Sequence, residues 1–283
     1  MQPLYRSTAG RDQVRAMCRQ RLNDWAALHT STTVETSLGS THLVEAGAGS
    51  TVCVYLPGTS FNAATSLPVL TALAERCRVV AVDLPGQPGL SDPARPQDEE
   101  PAFAAWINEV LGRVRTSGPG ARVVVAGHSR GAAAAASASP DLVDRLVFVS
   151  PAGLIGVKVG VRVLAATLPW LVRPSERTAA RLLAAMSGPG RRPHPDAVSW
   201  MAAVARHTRT SGAPGPLGRT ALARWRGRDV IVLVGERDCF FPPDAVRRVA
   251  QDTMGAAVTV LPRTGHLAVD EVPSAIVDAV LAV

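Results

Sequence analysis

Lysine is almost missing from this chain: of its 30 basic residues only Lys158 is a lysine, and the rest are arginines. Aromatic residues make up 4%, too few for a platform on which nucleic-acid bases stack, and no nucleic-acid-binding motif is present. The four cysteines, Cys18, Cys53, Cys77 and Cys239, stand singly. None forms a Cys-x-x-Cys pair or lies at metal-ligand spacing with a histidine, which argues against a zinc site and a disulfide framework. Their scatter predicts reduced thiols in a cytoplasmic protein, with Cys53 and Cys77 as packing residues in apolar runs. Long hydrophobic runs are absent too. The longest, Val159 to Val172, is interrupted by Arg162 and Pro169 and is too short to span a bilayer. Met1 to Asp12 has no apolar segment, so no secretory leader is expected there. No internal repeat is evident, and no metal or organic cofactor is called for.

The hydrophobic fraction is 47%, ample for the core of one large domain or two small ones. The formal net charge is +7. Richness in Arg, Ala, Gly and Pro fits codon bias in a GC-rich genome, but the charge is unevenly placed. Between Pro151 and Arg228 there are 13 basic residues and two acidic ones, Glu176 and Asp196. That segment carries about +11 and the remainder about −4. It reads either as the solvated face of surface helices or as an attractor for an anionic substrate or an acidic carrier domain.

Ser7 or Thr8 is placed to cap a helix over about 10–28. Its buried face would hold Val14, Met17, Leu22 and Trp25, with Arg11, Arg15, Arg19 and Arg21 facing water. Two alternating runs, 33–37 and 41–45, joined at Gly39-Ser40, predict an edge hairpin. Apolar runs at 51–56, 78–82, 122–126, 145–149, 229–234 and 256–261 then alternate with helical patterns at 66–77, 101–114, 132–136, 243–251 and 271–282. The result is an α/β fold: a mostly parallel, eight-stranded sheet with helices on both faces. Ligands of such sheets bind beyond the carboxyl ends of the strands. The alternation stops over 153–226, which has helical patterns near 156–171, 175–186 and 195–207 and Pro/Gly-rich breaks at 188–190 and 211–218. This predicts a helical lid inserted into a core formed by 1–152 and 227–283.

The residues that carry chemistry follow strands directly. Val123-Val-Val125 runs into Gly127-His128-Ser129-Arg130-Gly131 and then into the alanine run Ala132–Ala136. Gly-x-Ser-x-Gly between a strand and a helix, with no spare residue, is a nucleophile elbow: the serine sits on a strained turn that lifts its hydroxyl out of the sheet. Serine needs a base, and the base an orienter. Of the six histidines, His266 alone follows the last strand after a short turn; His128, next to the serine, is expected to pack beside its strand. The acid candidates after the strand ending at Val234 are Glu236 and Asp238, and Asp238 lies deeper in the loop. The order Ser129, Asp238, His266 is that of one hydrolase class. An oxyanion hole would take the backbone N–H of Arg130 and, from the loop Pro57-Gly58-Thr59-Ser60, that of Thr59, with Ser60 as the alternative.

Together, Leu56-Pro-Gly-Thr59, Asp83-Leu-Pro-Gly-Gln-Pro-Gly-Leu-Ser91, Gly127-His-Ser-Arg-Gly131, Gly235-Glu-Arg-Asp238 and Gly265-His266 resemble the α/β-hydrolase fold superfamily. Within it the chain is similar to lidded bacterial serine carboxylesterases, over roughly 33–150 and 228–283. Pro57 stands where the superfamily usually has a histidine, and Ala132 where a second glycine is common. The resemblance implies hydrolysis of a carboxylic ester through an acyl-enzyme. Phe61, Leu154, Leu171, Met186 and Trp200 are candidate linings of an acyl pocket, or plain packing between lid and core. Three alternatives stay open: thioester cleavage, acyl transfer or cyclisation on a carrier protein; a lyase or epimerase using the same three residues; and a binding protein without turnover.

Overall fold

The computed structural model describes residues 3–209 and 211–282. Helix α1 (Thr8–Asn23) opens the chain, with the Ser7 side chain accepting the Gly10 N–H. Strands β1 (His29–Thr36) and β2 (Gly39–Ala46) form the hairpin, and β3 (Thr51–Leu56), α2 (Leu67–Ala74) and β4 (Arg78–Val82) follow. Next come α3 (Glu99–Ser117), β5 (Arg122–His128), α4 (Arg130–Ala136) and β6 (Arg145–Val149). Helices α5 (Val161–Val172), α6 (Glu176–Met186), α7 (Pro195–His207) and α8 (Arg219–Ala223) lie between β6 and β7 (Val230–Gly235). The chain ends with α9 (Pro243–Met254), β8 (Val258–Leu261), α10 (Ala268–Glu271) and α11 (Pro273–Leu281).

The eight strands form one sheet in the order β1-β2-β4-β3-β5-β6-β7-β8. β1 and β2 pair antiparallel, as do β2 and β4, and the other pairs are parallel. After a polar first residue the central strands β3 to β6 are almost wholly apolar, because both faces are covered. One face packs on α1, α2, α11 and the helices of the 161–207 segment, the other on α3, α8 and α9. Every residue of α4 is buried, so its alanines allow α3 and the sheet to close on it.

Several boundaries differ from the sequence expectation for local physical reasons. Helix α1 stops at Asn23, short of residue 28: the Trp25 N–H turns back to the Leu22 carbonyl and its indole donates to Thr71 Oγ1 at 2.9 Å. Leu28 is then left 95% exposed. The hairpin turns at Ser37-Leu38, one step before the expected Gly39-Ser40, with Gly39 at φ +82. The expected helix over 271–282 splits at Val272, which Pro273 pushes out of the helical region to φ −143, ψ 57.

Candidate active site

The turn after β5 carries the central strain. Ser129 has φ +51 and ψ −115, a conformation costly for any residue with a Cβ. Its N–H donates to the Val149 carbonyl at 3.0 Å, and its carbonyl accepts the N–H groups of Ala132 and Ala152. These bonds hold the turn against its strain. Gly127 and Gly131 make the turn possible: a Cβ on Gly127 would strike Ala132 N at 2.6 Å, and one on Gly131 the carbonyl of Pro57 at 2.7 Å.

Three expected residues converge on this turn. His266 Nε2 lies 3.1 Å from Ser129 Oγ. His266 Nδ1 lies 3.0 Å from Asp238 Oδ2 and 3.2 Å from Oδ1. A carboxylate only accepts, so Nδ1 carries the proton and Nε2 presents its lone pair to the serine hydroxyl. Asp238 Oδ1 also accepts the N–H groups of Phe240 (2.9 Å) and Phe241 (3.0 Å). Burial pushes the Asp238 carboxyl up, but the His266 charge and these donors outweigh it and hold the group below the usual carboxylate range. Glu236 faces elsewhere, accepting the Arg263 N–H at 2.8 Å. Phe240 stacks edge-on against the His266 ring, centroids 4.8 Å apart. The Cys239-Phe-Phe-Pro-Pro run after the acid is the sequence signal for this wall.

The loop after β3 meets the serine from the other side. Among the described residues, the N–H groups of Thr59 and Arg130 have no hydrogen-bond partner. Ser60 cannot take the place of Thr59, since its N–H donates to Gln87 Oε1 at 3.0 Å. Its carbonyl accepts the Trp200 indole N–H at 2.7 Å. The buried Asp83 carboxylate receives the N–H groups of Ala63 (2.8 Å) and Leu90 (2.9 Å), tying this loop to the one after β4. The Arg130 side chain points away from the serine. It is buried, pairs with Glu99 at 2.9 Å and donates to the Gly212 carbonyl.

His128 does not merely pack beside its strand. Its Nε2–H donates to the His266 carbonyl at 2.9 Å and the ring borders the site cavity. The His266 N–H donates in turn to the Met186 carbonyl at 2.8 Å. Glu271 completes the frame, one carboxylate oxygen accepting the Gly265 N–H and the other the Gly188 N–H, each at 3.0 Å. Its partners are backbone groups, one of them 83 residues away, so no pattern of side chains announces it.

A cavity of about 400 Å³ opens above Ser129, with Val157, Val163, Trp170, Leu182 and Met201 among its walls. Of the expected lining residues, Phe61, Leu171 and Met186 border it. Leu154 and Trp200 do not, which corrects the sequence expectation. Leu154 packs with the residues on the opposite face of the sheet, and Trp200 is fully buried with its indole committed to Ser60.

Burial, and then the neighbouring His266, push His128 down to about 3. Its contribution to stability is complete above the pKa of an unfolded histidine, about 6.5, and is lost as the pH falls from there toward 3. Asp270 has the opposite sign. Burial, then Glu271, raise it to about 7, so it destabilises the fold progressively as the pH rises from about 4. Each slope is about 1.4 kcal/mol per pH unit, and the two offset between about pH 4.5 and 6. The expected result is a flat unfolding free energy in that window for the parent protein. In Asp270→Asn it should fall by about 1.4 kcal/mol per unit on acidification, read by urea denaturation. A flat profile in the variant would mean that His128 is not held neutral.

With this geometry in hand, comparison with known proteins defines the class. Residues 52–279 match the model of the alpha/beta hydrolase family. The chain belongs to that family and is a hydrolase of the α/β type. Carboxylesterase CesB (YbfK) from Bacillus subtilis superposes with a TM-score of 0.77 at 21% identity, over 97% of this chain and 98% of that one. Naproxen esterase (carboxylesterase NP) from Bacillus subtilis gives 0.79 at 18% identity, over 97% and 98%. A third Bacillus subtilis structure gives 0.82 at 18% identity, over 97% and 99%. At these identities the likeness is one of fold.

Proposed function

We propose that the protein is a serine hydrolase that cleaves a carboxylic ester through an acyl-enzyme. The observation that carries this reading is the unbroken line Ser129 Oγ, His266 Nε2, His266 Nδ1, Asp238. As Ser129 Oγ bonds to the acyl carbon, its proton passes to His266 Nε2. The carbonyl oxygen becomes an oxyanion and accepts the N–H groups of Thr59 and Arg130, each worth about 3 kcal/mol of transition-state stabilisation. Asp238 keeps the imidazole in its tautomer and stabilises the imidazolium. When the C–O bond to the alcohol breaks, His266 returns the proton to the leaving oxygen. Water then adds to the acyl-enzyme with His266 as base, releasing the acid and the free serine. Residues 153–226 act as a lid, and the apolar cavity beneath takes the acyl group. A small-molecule acyl substrate and a cytoplasmic location complete the reading; the four unpaired cysteines support the location.

A fluorophosphonate probe tests the central claim: it should label the parent protein and leave Ser129→Ala unlabelled. An unlabelled, folded parent sinks the reading. The basic charge of 151–228 favours a second one, a thioesterase or acyltransferase acting on an acidic carrier. Its mark would be turnover only of carrier-bound thioesters, weakened by salt.

A further inference from the structure

Helix α5 is apolar on both of its sides. Val163 and Trp170 are buried against the protein. On the opposite side Val161, Leu168 and Val172 are 84%, 55% and 75% exposed, with Leu164 at 50% beside them. Their spacing of three to four residues puts all four on one stripe. Val159, 54% exposed, extends it into the preceding loop. A helix that is apolar all round belongs in a core or in lipid. The 12 residues of α5 make a rod about 18 Å long. That is too short to cross a hydrocarbon layer of about 30 Å, but it suits a helix lying in the interfacial plane.

The charge around the stripe indicates what covers it. No Asp or Glu occurs from Arg145 to Ser175. Lys158, Arg162, Arg173 and Arg177 are exposed around α5. Beside its first turn lies a groove of about 650 Å³, bordered by Arg162, Arg191, Arg237 and the Gly188-Pro189-Gly190 loop. Its one acid, Asp238, is committed to His266. Arg237 approaches Glu236 at 3.7 Å, whereas Arg162 and Arg191 pair with no carboxylate among the described residues. Val159 and Leu164 also border the cavity above Ser129, so the stripe runs into the cavity mouth. An acidic protein would match the arginines without covering five aliphatic side chains. A second copy would bring its own basic face against this one.

We propose that this face docks on an anionic phospholipid surface. The α5 stripe lies at the acyl boundary, the arginine groove meets the negative headgroups, and the cavity mouth faces esters dissolved in the lipid. The docking stands on the surface alone; cleavage of those esters rests on the hydrolase reading above.

The test is co-sedimentation of the full chain with phosphatidylcholine vesicles, with and without about one-third phosphatidylglycerol. The parent should bind the anionic vesicles at least about tenfold more tightly, with the difference shrinking in salt. Val161→Gln/Leu168→Gln/Val172→Gln should lose about tenfold or more of that binding while keeping its Tm and its turnover of a short soluble ester. Arg162→Gln/Arg191→Gln, which leaves the apolar stripe intact, should bring anionic binding down toward the neutral level. A parent that ignores anionic vesicles overturns the proposal. So does a triple variant that binds them as tightly as the parent, a parent dimer that the triple substitution converts to monomer, or capture of an acidic carrier protein with no vesicle binding. Ser129→Ala should dock like the parent. Vesicle binding without fluorophosphonate labelling would sink the hydrolase reading and leave the docking intact.

Discussion

Ser129→Ala should lower turnover of a short p-nitrophenyl ester by about 10⁴- to 10⁶-fold with no loss of thermal stability. In the proposed mechanism Oγ is the atom that bonds to the acyl carbon, and among the described residues no other hydroxyl stands on His266 Nε2. The strained backbone is untouched, because alanine at φ +51 carries the same Cβ and the three hydrogen bonds that hold the turn are all main-chain. The sharper form of the test is a cycle. His266→Ala alone should cost a similar factor, and Ser129→Ala/His266→Ala together about the same again rather than the product, since each residue is useless without the other. Effects that multiply would show that serine and histidine do not act as one unit. Survival of turnover within a few-fold in His266→Ala would remove it as the base.

The second large effect is on folding. Gly131→Ala should leave little or no folded protein. Helix propensity alone would favour the change by about 1 kcal/mol, since Gly131 lies inside α4. The added Cβ, however, would be driven into the Leu56 carbonyl and would stand 2.7 Å from that of Pro57. Both are main-chain atoms, one in the last residue of β3 and one in the first residue of the loop that carries Thr59, and they cannot yield without moving that loop. A loss above about 4 kcal/mol is expected, read by urea denaturation or by soluble yield. Gly156→Ala is the control: nothing lies within 4 Å of its Cβ, and it should be neutral or slightly stabilising. A Gly131→Ala protein as stable as the parent would mean that the close approach of α4 to β3 is not real.

The parallel core is legible because apolar β-branched runs and helical periodicity are local signals, and because strand ends collect the reactive groups. Ser129, Asp238 and His266 each stand within five residues of a strand's carboxyl end, so their convergence can be anticipated without any contact being known. The surrounding frame cannot. Glu271, Asp83 and Gln87 act by accepting main-chain N–H groups from neighbouring loops, and a carboxylate or amide engaged in that way looks like any other polar residue. Leu154 and Trp200 depart from expectation for a related reason: hydrophobicity marks burial, but not which cavity or which face of the sheet a side chain enters. The split between α10 and α11 is written in Pro273, a breaker whose reach extends to the residue before it.

The bonds at the end of α6 have a mechanical consequence. Met186, Gly188 and Glu271 stitch that helix to the loop bearing His266, so swinging α6 outward would pull His266 off Ser129.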